Sequence, residues 1–223
     1  YELADVPTDG YLDFYIWPKY AEKGYLWMIP KCDGRANVGL VTEDRPRAKK
    51  ALDQFIEDTH FNDLSQQLPP WKTKGNPAFG GTIPISGPFE NTHYDGLMLI
   101  GDAAGFTSPL FEGGSHLALK SAVFAAETAV SAVSNGDVTA KSLEKYTMLW
   151  KAEFPPYEKI LRGKNALFKL SDGEMSLMGS CFPDEMGDMG ITGKAMVGLR
   201  LLFRRPDLYL KNIVPAMLAF GYS

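Results

Sequence analysis

The chain has 223 residues, of which 45% are apolar and 22% charged, with 23 Lys+Arg against 27 Asp+Glu for a net charge of -4. That balance excludes a disordered chain and gives no sign of wholesale nucleic-acid binding. Cys32 and Cys181 are too few for a disulfide framework, and His60, His93 and His116 lie too far apart in sequence to make a local metal site.

Residues from about 11 to 42 read as strands joined by short turns, the pattern of an antiparallel meander. Leu12, Phe14 and Ile16 fall on one face of the first run, which Pro18 ends. Tyr25 to Ile29 is a second, aromatic-rich run ending at Pro30. Lys31-Cys32-Asp33-Gly34 is a turn signal, and Arg35 to Val41 puts Ala36, Val38 and Leu40 on one face. Residues 46 to 60 carry a helical period, with Pro46 in the first turn and Ala48, Ala51, Leu52, Phe55 and Ile56 on one side. A Pro/Gly-rich loop then leads to an extended piece, Phe79 to Ile85.

Gly96-Leu97-Met98-Leu99-Ile100 is a continuous apolar run suited to a parallel-sheet strand buried on both faces. It leads into Gly101-Asp102-Ala103-Ala104-Gly105, then a loop with Pro109, Gly113 and Gly114. A helix from Ser115 to about Val133 follows, rich in small residues that permit close approach, and Asn135-Gly136-Asp137 stops it. From about 138 onward the chain reads as helices. Leu143, Tyr146, Leu149 and Trp150 share a face, Pro155-Pro156 breaks the run, and segments 157–170, 172–180, 190–203 and 206–219 follow. The expected division is 1–92, 93–137 and 138–223.

The stretch from Leu97 to Ala126 carries the chemistry. A carboxylate where a strand stops accepts hydrogen bonds from ligand hydroxyls, which is the expected role of Asp102. Gly101 and Gly105 allow close backbone approach. The helix opening near Gly114-Ser115 offers N–H groups and the positive dipole end to negatively charged oxygen. His116 reads as an ordinary first-turn helix residue, Cys32 and Cys181 as buried thiols, and Lys49-Lys50 and Arg204-Arg205 as solvated.

Gly101-Asp102-Ala103-Ala104-Gly105 with Pro109-Leu110 and Gly113-Gly114 resembles the second flavin motif of the flavoprotein hydroxylase superfamily. The resemblance implies FAD, with Asp102 at the ribityl chain near the pyrophosphate. It places the loop from Pro109 to Gly114 and Ser115 beside the isoalloxazine. Tyr25-Leu26-Trp27-Met28-Ile29-Pro30, followed by Asn37-Val38-Gly39-Leu40, is similar to the prenyl-tunnel motif of geranylgeranyl reductases, which makes Tyr25, Trp27 and Ile29 the expected substrate-binding residues. Leu170 to Glu174 and the Arg-Pro-Asp-Leu at 205–208 also resemble that family. Ile29 replaces its usual Phe, and Glu112 stands where its loop commonly has a first Gly. Both departures also lean toward flavin-dependent halogenases.

The fingerprint G-x-G-x-x-G, which binds the ADP half of FAD, does not occur in these residues. The chain therefore reads as the C-terminal portion of a longer flavoprotein, with a missing N-terminal FAD-binding part as its first partner. The implied fold class is α+β: an antiparallel substrate-side sheet, the last strand and helix of an FAD-binding α/β domain, and a C-terminal helical region. The implied activity is saturation of prenyl C=C bonds by hydride from reduced flavin, the catalytic residues and the electron donor, NAD(P)H or ferredoxin, being left unassigned. The alternatives are a halogenase or hydroxylase of the same superfamily, or a non-catalytic remnant that binds a lipid or a partner.

No apolar run reaches the roughly 20 residues of a membrane span, and the first residues have no signal-peptide pattern. The expected location is cytoplasmic. The Arg pair beside the apolar 206–219 segment adds peripheral membrane contact as a second expectation.

Overall fold

The computed structural model describes residues 1–3, 6, 10–32, 34–59, 78–182 and 190–222. His60, Asp33 and most of the loop before Phe79 lie outside them. The chain packs as two compact units, Tyr1–Gly81 and Thr82–Ser223, so residues 93–137 and 138–223 share one unit.

In the first unit, β1 (Glu2–Leu3), β2 (Asp13–Tyr15), β3 (Tyr25–Pro30) and β4 (Ala36–Val41) form an antiparallel sheet in the order β1-β4-β3-β2. Side chains alternate across a strand, so the register sorts β3 into two faces. Leu26 and Met28 point inward with Ala36 and Val38, onto Leu52, Phe55 and Ile56 of α1 (Ala48–Asp58). Each fully buried side chain of this kind contributes about 1.5–3 kcal/mol. Trp27 pairs with Gly39, and its ring lies on that glycine so closely that a Cβ there would be 2.3 Å from the ring. The Leu12/Phe14 side of the first run faces outward, and Tyr15 is the β2 residue that packs on the core.

The second unit opens with Phe79–Ile85 partly within it, and this piece joins no ladder among the described residues; an extended pattern does not supply a partner strand. A short antiparallel hairpin follows, β5 (His93–Tyr94) with β6 (Leu97–Met98). The expected strand buried on both faces is thus corrected: its ladder is two residues long, and Leu97 and Ile100 remain 49% and 42% exposed. An apolar run specifies what a strand can bury, not which element covers it. The turn at Gly101–Ala104 leads through a loop to α2 (Ser115–Ser134).

Next comes α3 (Ala140–Glu153), capped by the Thr139 hydroxyl, which accepts from the Ser142 N–H. Its Trp150 Nε1 donates to Thr92 Oγ1 at 2.9 Å in a buried bond, and Tyr146 donates to the Leu99 carbonyl, so α3 grips both ends of the hairpin. Ala104, Phe106, Leu117, Tyr146 and Trp150 form the core of this region. After Pro155-Pro156 come α4 (Tyr157–Leu167) and α5 (Asp172–Gly179). The Ser171 hydroxyl accepts from the Glu174 N–H, and the Glu174 carboxylate accepts from the Ser171 N–H, a capping box that starts α5. α6 (Ile191–Arg204) follows. A turn of helix at Pro206–Leu208 and a π-turn at Tyr209–Ile213 lead into α7 (Val214–Phe220). α4 and α7 cross at Gly163, where an added Cβ would be 2.1 Å from Ala219 Cβ.

Arg205 ties these last helices together by donating to Glu174 at 3.1 Å and to Asp207 at 2.7 Å. The hydrogen bond from Arg205 holds the Asp207 carboxyl down at about 2. Bonds from Ser171, and then from Arg205, lower Glu174. A depressed carboxyl stabilises the fold fully above its ordinary value, 3.8 for Asp207, and that contribution is lost as pH falls through about 2. The urea midpoint of the protein is expected to fall over this acid window, and Arg205→Leu is expected to flatten that fall. An unchanged slope in the variant would show that the pair does not stabilise the fold.

Candidate functional site

The turn after β6 carries the predicted ligand residues, and the structure sorts them into two sets. Gly101 (φ +54) is buried beneath α2, where an added Cβ would be 3.1 Å from Ala118 Cβ. Its N–H donates to the buried Ser121 Oγ at 3.1 Å. Small residues on α2 therefore do permit close approach, here to the Gly101 backbone. Ala104 lies in the core. Gly105 (φ +76) closes the turn, with the Gly87 carbonyl oxygen 2.2 Å from where a Cβ would stand. Pro109 is buried as well.

Asp102, Ala103, Gly113 and Ser115 are exposed, and Gly114 is half-buried. Asp102 Oδ1 accepts from Thr107 Oγ1 at 2.8 Å, which fixes the carboxylate at the surface. A Cβ on Gly114 would sit 3.1 Å from the same oxygen, so the start of α2 lies directly beside Asp102. A Cβ on Gly113 would meet nothing within 4 Å. Gly114, the N-cap of α2, supplies no side-chain cap, and the first N–H groups of any helix lack intrahelical acceptors. A carboxylate acceptor, an open glycine backbone and the positive end of a 20-residue helix thus share one rim. That donor and acceptor set suits a ligand with both hydroxyls and negatively charged oxygen.

The loop behind this rim is held from inside. Ser108 N–H donates to the Gly113 carbonyl at 3.0 Å. Between them Glu112 takes a left-handed φ of +48, and its carboxylate meets Lys164 Nζ of α4 at 2.8 Å. The two side chains are 1% and 2% exposed. Sequence reasoning did not single out Lys164. The signal was present, because Lys164 shares a helical face with Ile160 and Leu167, and a charge on an apolar face needs a buried partner.

The predicted substrate residues lie in the first unit. Tyr25, Trp27 and Ile29 point to the outer face of β3, opposite the core. Phe14 stacks on Tyr25 with centroids 4.3 Å apart, and Tyr25 lies 5.9 Å from Trp27. Trp27 Nε1 donates to Asn37 Oδ1 at 2.7 Å, which orients the indole. The result is a half-exposed aromatic surface, whose orienting Asn37 was not anticipated. Cys32 is exposed, correcting its reading as a buried thiol: it sits in the turn between β3 and β4. Cys181 is buried, and its thiol donates to the Leu177 carbonyl. His116 is exposed in the first turn of α2, and His93 Nδ1 lies 2.7 Å from Thr147 Oγ1.

Comparison with known proteins bears on both regions. Residues 1–68 match the model of the geranylgeranyl reductase catalytic domain. Digeranylgeranylglycerophospholipid reductase 2 of Methanothermobacter thermautotrophicus is 34% identical over 184 residues, covering 80% of this chain and 45% of that protein. The digeranylgeranylglycerophospholipid reductase of Methanocaldococcus jannaschii is 33% identical over 220 residues, covering 96% of this chain and 54% of that protein. Among solved structures, a geranylgeranyl bacteriochlorophyll reductase-like protein from Thermoplasma acidophilum superposes with a TM-score of 0.71 at 27% identity, covering 96% of this chain and 53% of that one. The chain spans about half the length of the curated relatives it matches. Similarity this extensive, reaching from the β3 aromatic motif through the C-terminal helices, makes the chain a member of the geranylgeranyl reductase family.

Proposed function

We propose that the whole protein is an FAD-dependent reductase that saturates C=C bonds in the prenyl chains of a lipid. The observation that carries this reading is the rim at the start of α2, where the exposed Asp102 carboxylate adjoins the open backbone of Gly113 and Gly114. Geranylgeranyl reductases are generally flavin dependent, and the rim offers a flavin nucleotide the groups it needs. When bound, the reduced cofactor supplies a hydride to one alkene carbon, and a proton added to the other completes the saturation. Asp102 would accept hydrogen bonds from cofactor hydroxyls. The N–H groups from Gly113 to the first turn of α2 would face the negative charge that reduction places on the ring. Gly101, Ala104, Gly105 and Pro109 support this rim from within the unit.

The outer face of β3 would bind the prenyl chain. Phe14, Tyr25, Trp27 and Ile29 form an apolar surface with one fixed polar group, which suits a hydrocarbon without polar handles. The relatives named as digeranylgeranylglycerophospholipid reductases favour a phospholipid carrier, and they favour reduction over halogenation, hydroxylation or a non-catalytic role. Phe203 and Leu210, exposed near Arg204 and Lys211 in sequence, support peripheral contact with a lipid surface.

A second part of the protein would complete the site. Leu119, Val123, Val130 and Val133 recur at helical spacing along α2, and each is more than half exposed. An apolar stripe of that length is the kind of surface another element covers, and the chain has only half the length of its relatives. We assign that stripe to the FAD-binding part of the protein.

The test is made on the full-length protein. It is expected to purify with the visible absorbance of oxidised flavin. After chemical reduction it is expected to add two hydrogens per double bond to a digeranylgeranylglycerophospholipid, read by mass spectrometry. A protein that reconstitutes with no flavin, or a flavoprotein that leaves the lipid unchanged, would overturn the proposal.

A further inference from the structure

Lys164 is a fully buried charge in the second unit, and the proposed chemistry does not touch it. Its place is fixed from two directions. On its own helix it lies between the buried Ile160 and Leu167, and the neighbouring Gly163 packs closely against Ala219 of α7. At its tip, Nζ meets Glu112 Oε1 at 2.8 Å. Glu112 belongs to the loop that ends at Gly113-Gly114, and it is one of two non-glycine residues with positive φ among those described. Tyr157 lies close enough that the Glu112 charge, after burial, helps push its phenol upward.

A glutamate does not adopt a left-handed backbone by preference. At Glu112 the side chain is held by the buried ion pair, beside the bond from the Ser108 N–H to the Gly113 carbonyl. The next residue, Gly113, is exposed, and a Cβ on Gly114 would stand 3.1 Å from Asp102 Oδ1. We infer that Lys164 is a positioning residue: through its ion pair with Glu112, it sets the backbone geometry of the loop that forms the rim. This deepens the proposed flavin reading and rests on it for its functional consequence, while the loop geometry itself can be tested without flavin. A glycine adopts φ +48 without strain, whereas a glutamate there is strained and persists where its surroundings hold it.

The experiment compares Lys164→Met, Lys164→Arg and the double variant Glu112→Gly/Lys164→Met with the parent, all in the full-length protein. Hydrogen exchange of the amides from Phe111 to His116 reads the loop directly, and flavin titration reads the rim. Lys164→Met leaves a buried carboxylate without its cation, and its loop amides are expected to exchange at least tenfold faster. Its flavin affinity is expected to fall at least tenfold, with a shifted flavin spectrum. Lys164→Arg is expected to recover part of both. The double variant removes both charges and places glycine at the left-handed position, and is expected to return both readouts to within about threefold of the parent. If Lys164→Met folds and leaves loop exchange unchanged, the positioning role is wrong. It is equally overturned if the double variant is no better than Lys164→Met. Should Lys164→Met not fold, the double variant decides alone: parent-like loop exchange upholds the role, and fast exchange overturns it. Should the parent bind no flavin, the flavin reading fails, and the exchange comparison still decides the role of Lys164.

Discussion

Gly105→Ala is expected to lower the stability of the second unit by about 2–5 kcal/mol, seen as a drop in the urea midpoint with the slope of the transition unchanged. Two costs add. Gly105 has φ +76, and a left-handed conformation costs an L-residue about 1–2 kcal/mol. A Cβ there would also stand 2.2 Å from the Gly87 carbonyl oxygen, a backbone atom that cannot rotate aside, and overpacking of this kind costs about 1–3 kcal/mol. Gly136→Ala separates the two. Gly136 has φ +64 but nothing within 4 Å of its Cβ position, so it should lose only the conformational part. Equal losses at the two positions would mean that the loop at Gly87 moves away, and that the turn after β6 is not packed as tightly as the distances state.

Gly105 also shows where a sequence is ambiguous. Glycine at the end of a strand marks a close approach, but not of what. Here the neighbour is the Gly87 backbone, while the open face belongs to Asp102 and Gly113. Elements whose pattern is self-contained were legible. The apolar runs at Tyr25–Pro30 and Ala36–Val41 gave both strands, the alternation of Ala36 and Val38 gave the buried side of the second, and Pro155-Pro156 and Asn135-Gly136 marked helix ends. Elements that depend on a distant partner were not. The apolar run at 96–100 reads as doubly buried, yet Leu97 and Ile100 keep much of their surface, because the run's own residues do not encode what covers them. Phe79–Ile85 reads as extended and joins no ladder among the described residues, for the same reason. The ion pair of Lys164 with Glu112 joins residues 52 apart, beyond the reach of any local period. The π-turn at Tyr209–Ile213 lies within a segment whose spacing reads simply as helix.

Asp102→Ala is expected to weaken flavin binding by the full-length protein about 10- to 150-fold, the range that follows from losing a hydrogen bond to a charged group, about 1.5–3 kcal/mol. The effect on folding should be smaller. Asp102 is exposed, and the main consequence within the unit is that the Thr107 hydroxyl, which is buried, loses the acceptor it meets at 2.8 Å. That loss should cost about 1 kcal/mol in a urea titration. Thr107→Val removes the same internal bond and keeps the carboxylate, so it should match Asp102→Ala in stability while retaining most of the flavin affinity. Asp102→Asn tests the charge, since the amide oxygen can still accept from Thr107 and from a ligand hydroxyl. Binding close to the parent would then mean that the carboxylate acts through acceptor geometry, and a tenfold loss that its charge matters. If Asp102→Ala and Thr107→Val lose flavin equally, the carboxylate acts only by holding the loop, and its assignment as a direct ligand fails.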